Sequence, residues 1–505
     1  MQLPLLFRPQ TEWVPPIDLK DLSDAKEIAI DLETCDPNLT TSGSGAINGN
    51  GFVVGIAVAV EGWQGYFPIA HEGGGNLDKR IILDWFQDIL NTNANKIFHN
   101  AMYDVSWIRA MGLNINGRII DTMIAGSLIN ENRFSYTLDS MGKEFVGFGK
   151  NETNLKEAAK NWNIDPKKDM WRLPAMEVGS YAEKDAELTL KLWQRLQQEL
   201  TAQDLWSVFT LETDLFPCLI DMKFKGVRVD MERADTIKKE IVKKEKKTLL
   251  DIKKQVGFDV EIWAASSCAL AFDKVNLPYD KTDKGNPSFT KNFLSTHPHP
   301  LAKNITLARE LNKAHTTFID TIIKHEHRGR IHADINQIRS DQGGTVTGRF
   351  SYSNPNLQQV PARNKDLGPM IRSIFIPEDK CQWGCFDYSQ QEPRILVHYA
   401  SLDNFRSVDN IIEKYKNSDA DFHQSVADMA DIERKQAKTI NLGLMYGMGK
   451  NKLMAELGLQ VDAAEKLIKR YHTSAPFVKQ LMDSVSRRAQ DSGRIRTIGG
   501  RVCHF

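Results

Sequence analysis

Two carboxylates on a short apolar segment are the first residues whose spacing could do chemistry. Asp31 and Glu33 lie two apart within the segment Glu27–Glu33. This alternation predicts a strand that presents both side chains on one face. Because hard divalent cations such as Mg²⁺ prefer oxygen ligands, two carboxylates that face one point predict part of a metal site.

Two further carboxylates stand at the ends of four-residue spacings. Asn100 and Asp104, and then Tyr181 and Asp185, are each four residues apart, which places each pair on one face if the segment is helical. Two cations about 4 Å apart stabilise the attacking and leaving oxygens in phosphodiester hydrolysis. Any one of these acids is typical of an exposed side chain or a helix cap. Together, in the order strand, helix, helix, the four acids predict a two-cation site.

These spacings resemble the three motifs of DnaQ-like 3′-5′ exonucleases, and the segment Ile120–Met123 also resembles that family. The resemblance implies an RNase H-like fold and single-stranded DNA 3′ ends as substrate. It implies that Tyr181 helps to orient the attacking water, and that Asp121 lies outside the metal set. The implied ligands of two Mg²⁺ (or Mn²⁺) ions are Asp31, Glu33, Asp104 and Asp185.

A second region whose residues could bind DNA or do chemistry follows Gly329. The segments Thr347–Ser351, Pro355–Gln358 and Pro361–Arg363 resemble a block of the family A DNA polymerases, the family of bacterial DNA polymerase I. The resemblance implies that polar side chains in this block contact primer-template DNA. The residues to which this role is carried over are Arg349, Asn356 and Gln358.

The segment Trp383–Ser389 is mostly apolar up to a single acid, Asp387. This pattern predicts a buried strand that delivers a metal ligand to a cleft. The segment Asp387–Arg394 resembles motif A of family A polymerases. That resemblance implies that Asp387 is a catalytic metal ligand and that Glu392 excludes a ribose 2′-hydroxyl.

A stripe of four residues recurs every fourth position: Arg434, Lys438, Leu442 and Tyr446. On a helix they share one face. Arg434 and Lys438 can supply the fixed positive charge that triphosphate transfer needs. The segment containing the stripe resembles motif B, which implies that the stripe binds dNTPs and that His423 is a further phosphate contact. Leu442 stands where the family usually has an aromatic residue.

The segment Thr497–Arg501 still resembles the family, but the His-Asp-Glu strand of motif C does not follow. With Asp387 as the one secure palm carboxylate, a two-metal transfer site is incomplete. We therefore expect the large part of a split family A DNA polymerase whose missing strand comes from a second polypeptide. Three alternatives stay open: a truncated fragment of a single-chain polymerase, a stand-alone exonuclease whose second half grips DNA, and a non-catalytic DNA-binding component.

Composition is that of a water-soluble globular protein. The chain has 505 residues, enough for about three domains, and its 65 basic and 65 acidic residues balance. Affinity for nucleic acid must therefore come from local basic faces. A lysine-dense segment, residues 238–254, predicts either a solvated helix face or one that tracks phosphates. With no apolar run of about 20 residues and no signal peptide pattern, we expect a cytoplasmic protein without a membrane segment.

The elements that must position these residues divide into an α/β region and a mainly helical one. Strands are predicted over 27–33 and 51–60, and helices over 81–90, 102–111 and 181–200. The predicted fold class is α/β, an RNase H-like exonuclease domain followed by a partial right-hand polymerase. The predicted divisions are an N-terminal arm (1–25), the exonuclease domain (26–203), a thumb-like helical region (204–328), and a partial palm and fingers (329–505).

Overall fold

The computed structural model describes residues 11–339, 344–362, 364–405, 408–417, 421–430 and 432–505. The chain divides into two compact units, Met1–Gln382 and Trp383–Phe505. Each unit has its own hydrophobic core. The first ten residues of the predicted arm, and Arg363, lie outside the described residues.

One sheet organises the first part of the first unit. Its strands are β1 (Glu27–Cys35), β2 (Phe52–Val60), β3 (Trp63–Pro68), β4 (Asn95–Phe98) and β5 (Ile119–Asp121). The strand order is β3-β2-β1-β4-β5, so β1 lies at the centre. β1 pairs antiparallel with β2 and parallel with β4. A parallel neighbour requires a crossover connection, which the chain makes through a helix.

The central strand is apolar on both faces over Ile28–Ile30, directly before Asp31. Ile28, Ala29 and Ile30 are all fully buried, as expected of a strand covered on both sides, which reads as a continuous apolar run rather than an alternation. Helix α8 (Ala175–Ala202) packs against β1, β2 and β3. The helices of this region are α1 (Leu39–Ser42), α2 (Gly45–Asn48), α3 (Lys79–Asn91), α4 (Ala101–Ala110), α5 (Thr122–Ile129), α6 (Leu138–Phe145), α7 (Thr153–Asn161) and α8 (Ala175–Ala202).

The predicted strands and helices of this region all occur, with two local differences. The stretch 42–51, between the two predicted strands, contains the helical turn α2, and the Ser44 side chain caps the N–H of Ala46 there. Asn100 was expected to share a helix face with Asp104. It instead precedes α4 with a backbone φ of 72°, because the helix begins only at Ala101.

The remainder of the first unit is mainly helical, with short two-residue and three-residue strands. Its helices are α9 (Trp206–Lys225), α10 (Met231–Val256), α11 (Ala265–Lys274), α12 (Lys291–Thr296), α13 (Pro300–Lys313), α14 (Asp320–His325) and α15 (Leu367–Arg372), with a π-helical segment at Ala314–Ile319. Its strands are β6 (Val227–Arg228), β7 (Asp280–Lys281), β8 (Pro287–Ser288), β9 (Glu326–His327), β10 (Arg330–Ile331), β11 (Asp334–Asn336) and β12 (Ser351–Ser353).

The lysine-dense segment lies on α10. Ile237, Ile241 and Ile252 on that helix are buried, whereas Lys243 and Lys247 are exposed. This division of apolar and charged positions is the amphipathic pattern of a helix with one face in a core. The charged face is therefore solvent-accessible, which both interpretations of the segment require.

Helices also form the core of the second unit, which buries residues such as Ile440, Leu444, Tyr471 and Phe477. Its helices are α16 (Gln391–Leu402), α17 (Val408–Asn417), α18 (Phe422–Ala430), α19 (Arg434–Met445), α20 (Lys450–Leu457), α21 (Val461–Ser474) and α22 (Pro476–Ser492). Its strands are β13 (Arg494–Arg496) and β14 (Val502–His504).

The buried strand predicted to end at Asp387 is wrong. Residues 383–388 lie outside helices and strands, and their large side chains face solvent: Phe386 is 95% exposed and Tyr388 80%. A strand needs a neighbour to pair its N–H and C=O groups. In the described part of this unit, the strand pairing is between β13 and β14, so the apolar segment has no partner strand there.

Candidate functional site

Three of the four predicted acids converge at the centre of the sheet. Asp31 and Glu33 lie on β1, and a register irregularity follows directly after Glu33. Helix α8 brings Asp185, which is buried, over the same strand. Oxygens of Asp31, Glu33 and Asp185 all lie within 4.8 Å of one another. The two acids of the strand and the acid of the helix, each singled out by its spacing in the sequence, thus lie at one site.

Asp104, the fourth acid, lies against the same strand but outside that group of oxygens. It is buried on α4, and its Oδ1 accepts a 3.1 Å hydrogen bond from the backbone N–H of Leu32. Leu32 is the residue between Asp31 and Glu33. The contact therefore fixes the position of Asp104 relative to the two strand acids.

Asp121, which the resemblance placed outside the metal set, holds the start of the helix that carries Asp104. Its two carboxylate oxygens accept hydrogen bonds from the backbone N–H groups of Asn100, Ala101 and Met123, at 3.0, 2.8 and 2.8 Å. These are orphan donors at the starts of α4 and α5, which a carboxylate satisfies well. One side chain thus anchors two helices, including the one that carries Asp104.

The acids are electrostatically unfavourable neighbours. Burial raises the pKa of Asp31, Glu33 and Asp104, and repulsion from Asp31 raises it further for the latter two. Burial also raises the pKa of Asp185 to about 7. Desolvation and like charges both disfavour the ionised form of a carboxylic acid. Positive charge nearby is therefore needed to ionise the cluster fully at neutral pH.

A lysine that the sequence analysis did not find supplies such a charge. Lys150 lies between α6 and α7, and its Nζ is 2.5 Å from an Asp185 oxygen. It also donates a 2.9 Å hydrogen bond to the Tyr181 hydroxyl. Burial alone would lower the pKa of Lys150, but the charges of Asp185 and Asp31 outweigh it and raise that pKa above its usual value. No periodicity links a lysine in a loop to a distant strand and helix.

Tyr181 lies one helical turn before Asp185, as its spacing predicted. Burial raises its pKa well above the usual value, so its hydroxyl keeps its proton and acts as a hydrogen-bonding group. The donor set of the cluster is carboxylate oxygen throughout, close together and partly withdrawn from water. This chemistry fits hard divalent cations such as Mg²⁺ and Mn²⁺.

The predicted DNA-contacting residues of the first unit flank β12: Arg349 precedes that strand, and Asn356 and Gln358 follow it. Arg349, Asn356 and Gln358 are all exposed. The Gln358 side chain donates a 2.9 Å hydrogen bond to the carbonyl of Phe350, which joins the segments on the two sides of β12. Gln358 also lines a groove of 390 Å³ that includes Lys291 and Lys313. The three side chains can reach a ligand without rearrangement of the core.

In the second unit, two predicted nucleotide-binding residues are in contact. The Tyr446 hydroxyl donates a 2.7 Å hydrogen bond to the Glu392 carboxylate, although the two are 54 residues apart in sequence. Tyr446 directly follows α19, and its N–H continues the helical bonding pattern to Leu442. Asp387 is exposed, a few residues before α16, which carries Glu392.

The rest of the predicted stripe lies on α19 as expected. Arg434 and Lys438 are exposed, and Leu442 is half-buried. The Arg434 Nε lies 2.5 Å from a carboxylate oxygen of Asp421. His423 is buried, and its Nδ1 lies 3.0 Å from the Asn441 side-chain nitrogen. His423, the predicted phosphate contact, is thus buried where α18 packs against α19.

None of the helices in the described parts of the chain has both the length and the apolar character that a bilayer-spanning segment needs.

Comparison with known proteins extends these observations to the whole chain. Residues 231–505, more than half of the chain, match DNA polymerase family A, and residues 18–201 match a 3′-5′ exonuclease family. A DNA-directed DNA polymerase of Pseudomonas phage M6 is 36% identical, over 100% of this chain and 85% of that protein. DNA polymerase DpoZ of Acinetobacter phage SH-Ab 15497 is 31% identical, over 84% of this chain and 76% of that protein.

A solved structure has the same fold. It is the POL domain of Pol1 from M. smegmatis in complex with DNA primer-template and dNTP, with a TM-score of 0.76 at 20% identity. The match covers 95% of this chain and 79% of that one. The predicted α/β fold class, an exonuclease domain followed by a polymerase domain, is confirmed. This chain belongs to DNA polymerase family A, carries a 3′-5′ exonuclease domain, and is an enzyme that acts on DNA.

Proposed function

We propose that this chain removes nucleotides from single-stranded DNA 3′ ends and so proofreads during DNA replication. The single observation behind this is the convergence of Asp31, Glu33 and Asp185 within 4.8 Å. Asp104 and Tyr181 complete the proposed site, which lies in the proposed exonuclease domain, residues 26–203. Two bound Mg²⁺ (or Mn²⁺) ions would supply the charge that stabilises the attacking and leaving oxygens of the phosphodiester.

The protein's own groups would hold and orient the reactants. Asp31, Glu33 and Asp185 would provide the oxygen ligands, and the hydrogen bond from Leu32 fixes Asp104 beside them. The protonated hydroxyl of Tyr181, one turn from Asp185, would orient the attacking water. Partial burial excludes bulk solvent, which strengthens each of these electrostatic interactions.

Release of nucleotides from a 5′-labelled, single-stranded oligonucleotide tests this proposal. With Mg²⁺, the wild-type chain should shorten the strand from its 3′ end. The double variant Asp31→Ala, Glu33→Ala should be slower by roughly three orders of magnitude, since it loses two cation ligands. A wild-type protein that binds the oligonucleotide without shortening it would favour the non-catalytic DNA-binding alternative.

We also propose a role in DNA-templated synthesis. Arg349, Asn356 and Gln358 would contact primer-template DNA, and Arg434 and Lys438 would contact the dNTP triphosphate. The remaining proposed nucleotide-binding residues are Glu392, His423, Leu442 and Tyr446. The contact between Glu392 and Tyr446 supports this assignment, since both are carried over from the family's motifs. The similar mycobacterial domain was solved with DNA primer-template and dNTP, which supports the same ligands here.

The proposed transfer site depends on more than Asp387. Asp387 is the one carboxylate of the sequence that matches a palm ligand of the family, and two-metal transfer needs a second. We propose that the second comes from outside these 505 residues, on a second polypeptide that carries motif C. A longer form of the same chain, and a stand-alone exonuclease, are the alternatives.

Primer extension separates these possibilities. The purified 505-residue chain should not extend a primer with Mg²⁺ and dNTPs, and adding a motif C polypeptide should restore synthesis. Robust extension by the isolated chain would contradict the split arrangement. Mass measurement of the protein from its natural source would reveal a longer single chain. The thumb-like region 204–328, the partial palm and fingers 329–505, and a cytoplasmic location complete the proposal.

A further inference from the structure

Lys150 lies in the acidic cluster without belonging to any of the predicted motifs. Its Nζ is 2.5 Å from an oxygen of Asp185, and the two side chains are only 24% and 2% exposed. The same nitrogen donates to the Tyr181 hydroxyl at 2.9 Å and lies 5.1 Å from the centre of that ring. One ammonium group thus contacts both residues that α8 contributes to the site.

The positive charge of Lys150 reduces the electrostatic repulsion among the carboxylates of the cluster. Three carboxylates within 4.8 Å repel one another strongly when they are partly buried. An isolated buried charge is unfavourable unless it is paired and hydrogen-bonded. The ammonium group offsets part of this repulsion through its ion pair with Asp185, and it donates a hydrogen bond to the Tyr181 hydroxyl.

The same carboxylate is a proposed cation ligand. Asp185 therefore has two possible positive partners, the ammonium group and a divalent cation. Binding of either reduces the electrostatic gain available to the other, so the two bindings are coupled by a free energy.

We propose that Lys150 is a positioning residue of the exonuclease site: it holds Asp185 and Tyr181 in place and competes with a divalent cation for Asp185. The competition sets the cation concentration at which 3′ ends are degraded. This inference rests on the proposed exonuclease function. It adds a residue that acts through Asp185 and Tyr181 rather than on the phosphodiester itself.

Calorimetric titration of the full chain with Mn²⁺ tests the competition directly. Lys150→Met, which removes the charge at nearly constant volume, should bind Mn²⁺ more tightly than wild type by roughly fivefold or more. Lys150→Arg, which keeps the charge, should change the affinity less. The matched control is Lys156→Met, because Lys156 is exposed on α7, where it forms an ion pair with Glu152, and its loss should leave the affinity unchanged.

The kinetic signature separates positioning from a purely structural role. In Lys150→Met, half-maximal degradation should need less Mn²⁺, whereas the maximal rate should fall because Tyr181 loses its donor. A structural defect alone would lower the rate without tightening Mn²⁺ binding. Wild-type Mn²⁺ affinity in a folded Lys150→Met protein would overturn the inference while leaving the exonuclease proposal intact.

A second measurement on the wild-type protein covers the case in which Lys150→Met does not fold. Acetylation by an N-hydroxysuccinimide ester, read by mass spectrometry, should increase at Lys150 relative to Lys156 when Mn²⁺ is added, since the cation releases the ammonium group from Asp185. An unchanged ratio would overturn the inference. A wild-type protein that neither binds Mn²⁺ nor degrades 3′ ends would overturn the proposed function and this inference together.

Discussion

The backbone N–H of Leu32 donates a 3.1 Å hydrogen bond to the carboxylate of Asp104. This contact joins the central strand to α4 at the residue between Asp31 and Glu33. The Asp104 side chain therefore has two separable roles: it accepts a hydrogen bond from a backbone N–H, and it is a proposed acid of the site. Substitutions that remove one role without the other can tell them apart.

Asp104→Asn should keep the fold and lose the activity. The amide oxygen can still accept from Leu32, so we expect the free energy of unfolding to change by less than about 1 kcal/mol. The lost negative charge should slow 3′-end degradation by roughly two orders of magnitude. Asp104→Ala should lose both. Equal destabilisation by the two variants, measured by thermal unfolding, would contradict a role for the acceptor.

Asp121→Ala should destabilise the first unit although Asp121 is not a proposed ligand. It leaves three backbone N–H groups at the starts of α4 and α5 without an acceptor, which we expect to destabilise by about 2 kcal/mol. Degradation should also slow, because α4 carries Asp104. Thermal unfolding and the exonuclease assay together measure both effects.

The control for that variant is Asp78→Ala. Asp78 caps α3 through exposed hydrogen bonds to Arg80 and Ile81, remote from the acidic cluster in its contacts. It should lower stability by about 1 kcal/mol and leave the exonuclease rate unchanged. A rate loss in Asp78→Ala equal to that in Asp121→Ala would show that the rate merely follows stability.

The pH dependence of stability should reveal the buried carboxylates. Burial raises the pKa of Asp185 from 3.8 to about 7 in the folded chain. Between these values the folded state binds more protons than the unfolded state, so this group's contribution to the free energy of unfolding falls as pH rises. In EDTA, the melting temperature of wild type minus that of Asp185→Asn should fall between about pH 4 and pH 7.

Added Mn²⁺ should reverse this trend, because the cation competes with the proton for Asp185. Its stabilising effect should grow as pH rises toward about 7 and then level off. Melting curves at several pH values, with EDTA and with Mn²⁺, provide the comparison. A difference between wild type and Asp185→Asn that is constant with pH would contradict the raised pKa of Asp185.

Tyr446→Phe should weaken sugar discrimination in the second unit. The hydroxyl of Tyr446 holds the Glu392 carboxylate at 2.7 Å, and Glu392 is the proposed barrier to a ribose 2′-hydroxyl. With primer-template present, we expect the preference for dGTP over GTP in equilibrium binding to fall roughly fivefold. Glu392→Ala should abolish the preference.

Lys450→Met serves as the control for this pair, since it removes only an exposed ion pair with Glu465 in the same unit. Its preference for dGTP should equal that of wild type. If Tyr446→Phe also retains the full preference while Glu392→Ala loses it, the hydroxyl does not position the carboxylate.

The sequence predicted the parts of the site whose spacing follows a regular backbone. Asp31 and Glu33 obey the period of a strand, and Tyr181 and Asp185 that of a helix, so their facing directions could be inferred. Asn100 broke the same rule because a helix start cannot be located to one residue by spacing alone. Lys150 comes from a loop, where no period relates position to direction.

The prediction of a buried strand before Asp387 was wrong for a different reason. Its apolar residues match the composition of a buried strand, but strand formation depends on a partner that composition does not reveal. Phe386 and Tyr388 are exposed instead. The contact between Glu392 and Tyr446 joins segments that are distant in sequence, so it too could be found only from the three-dimensional structure.

Diffraction from crystals of the full chain grown or soaked with Mn²⁺ would test the central claim most directly. The account predicts anomalous scattering peaks at the acidic cluster, with oxygens of Asp31, Glu33 and Asp185 at about 2.2 Å from Mn²⁺ and the Lys150 ammonium group withdrawn from Asp185. Mn²⁺ bound elsewhere on the chain, with the three carboxylates left without it, would contradict the account.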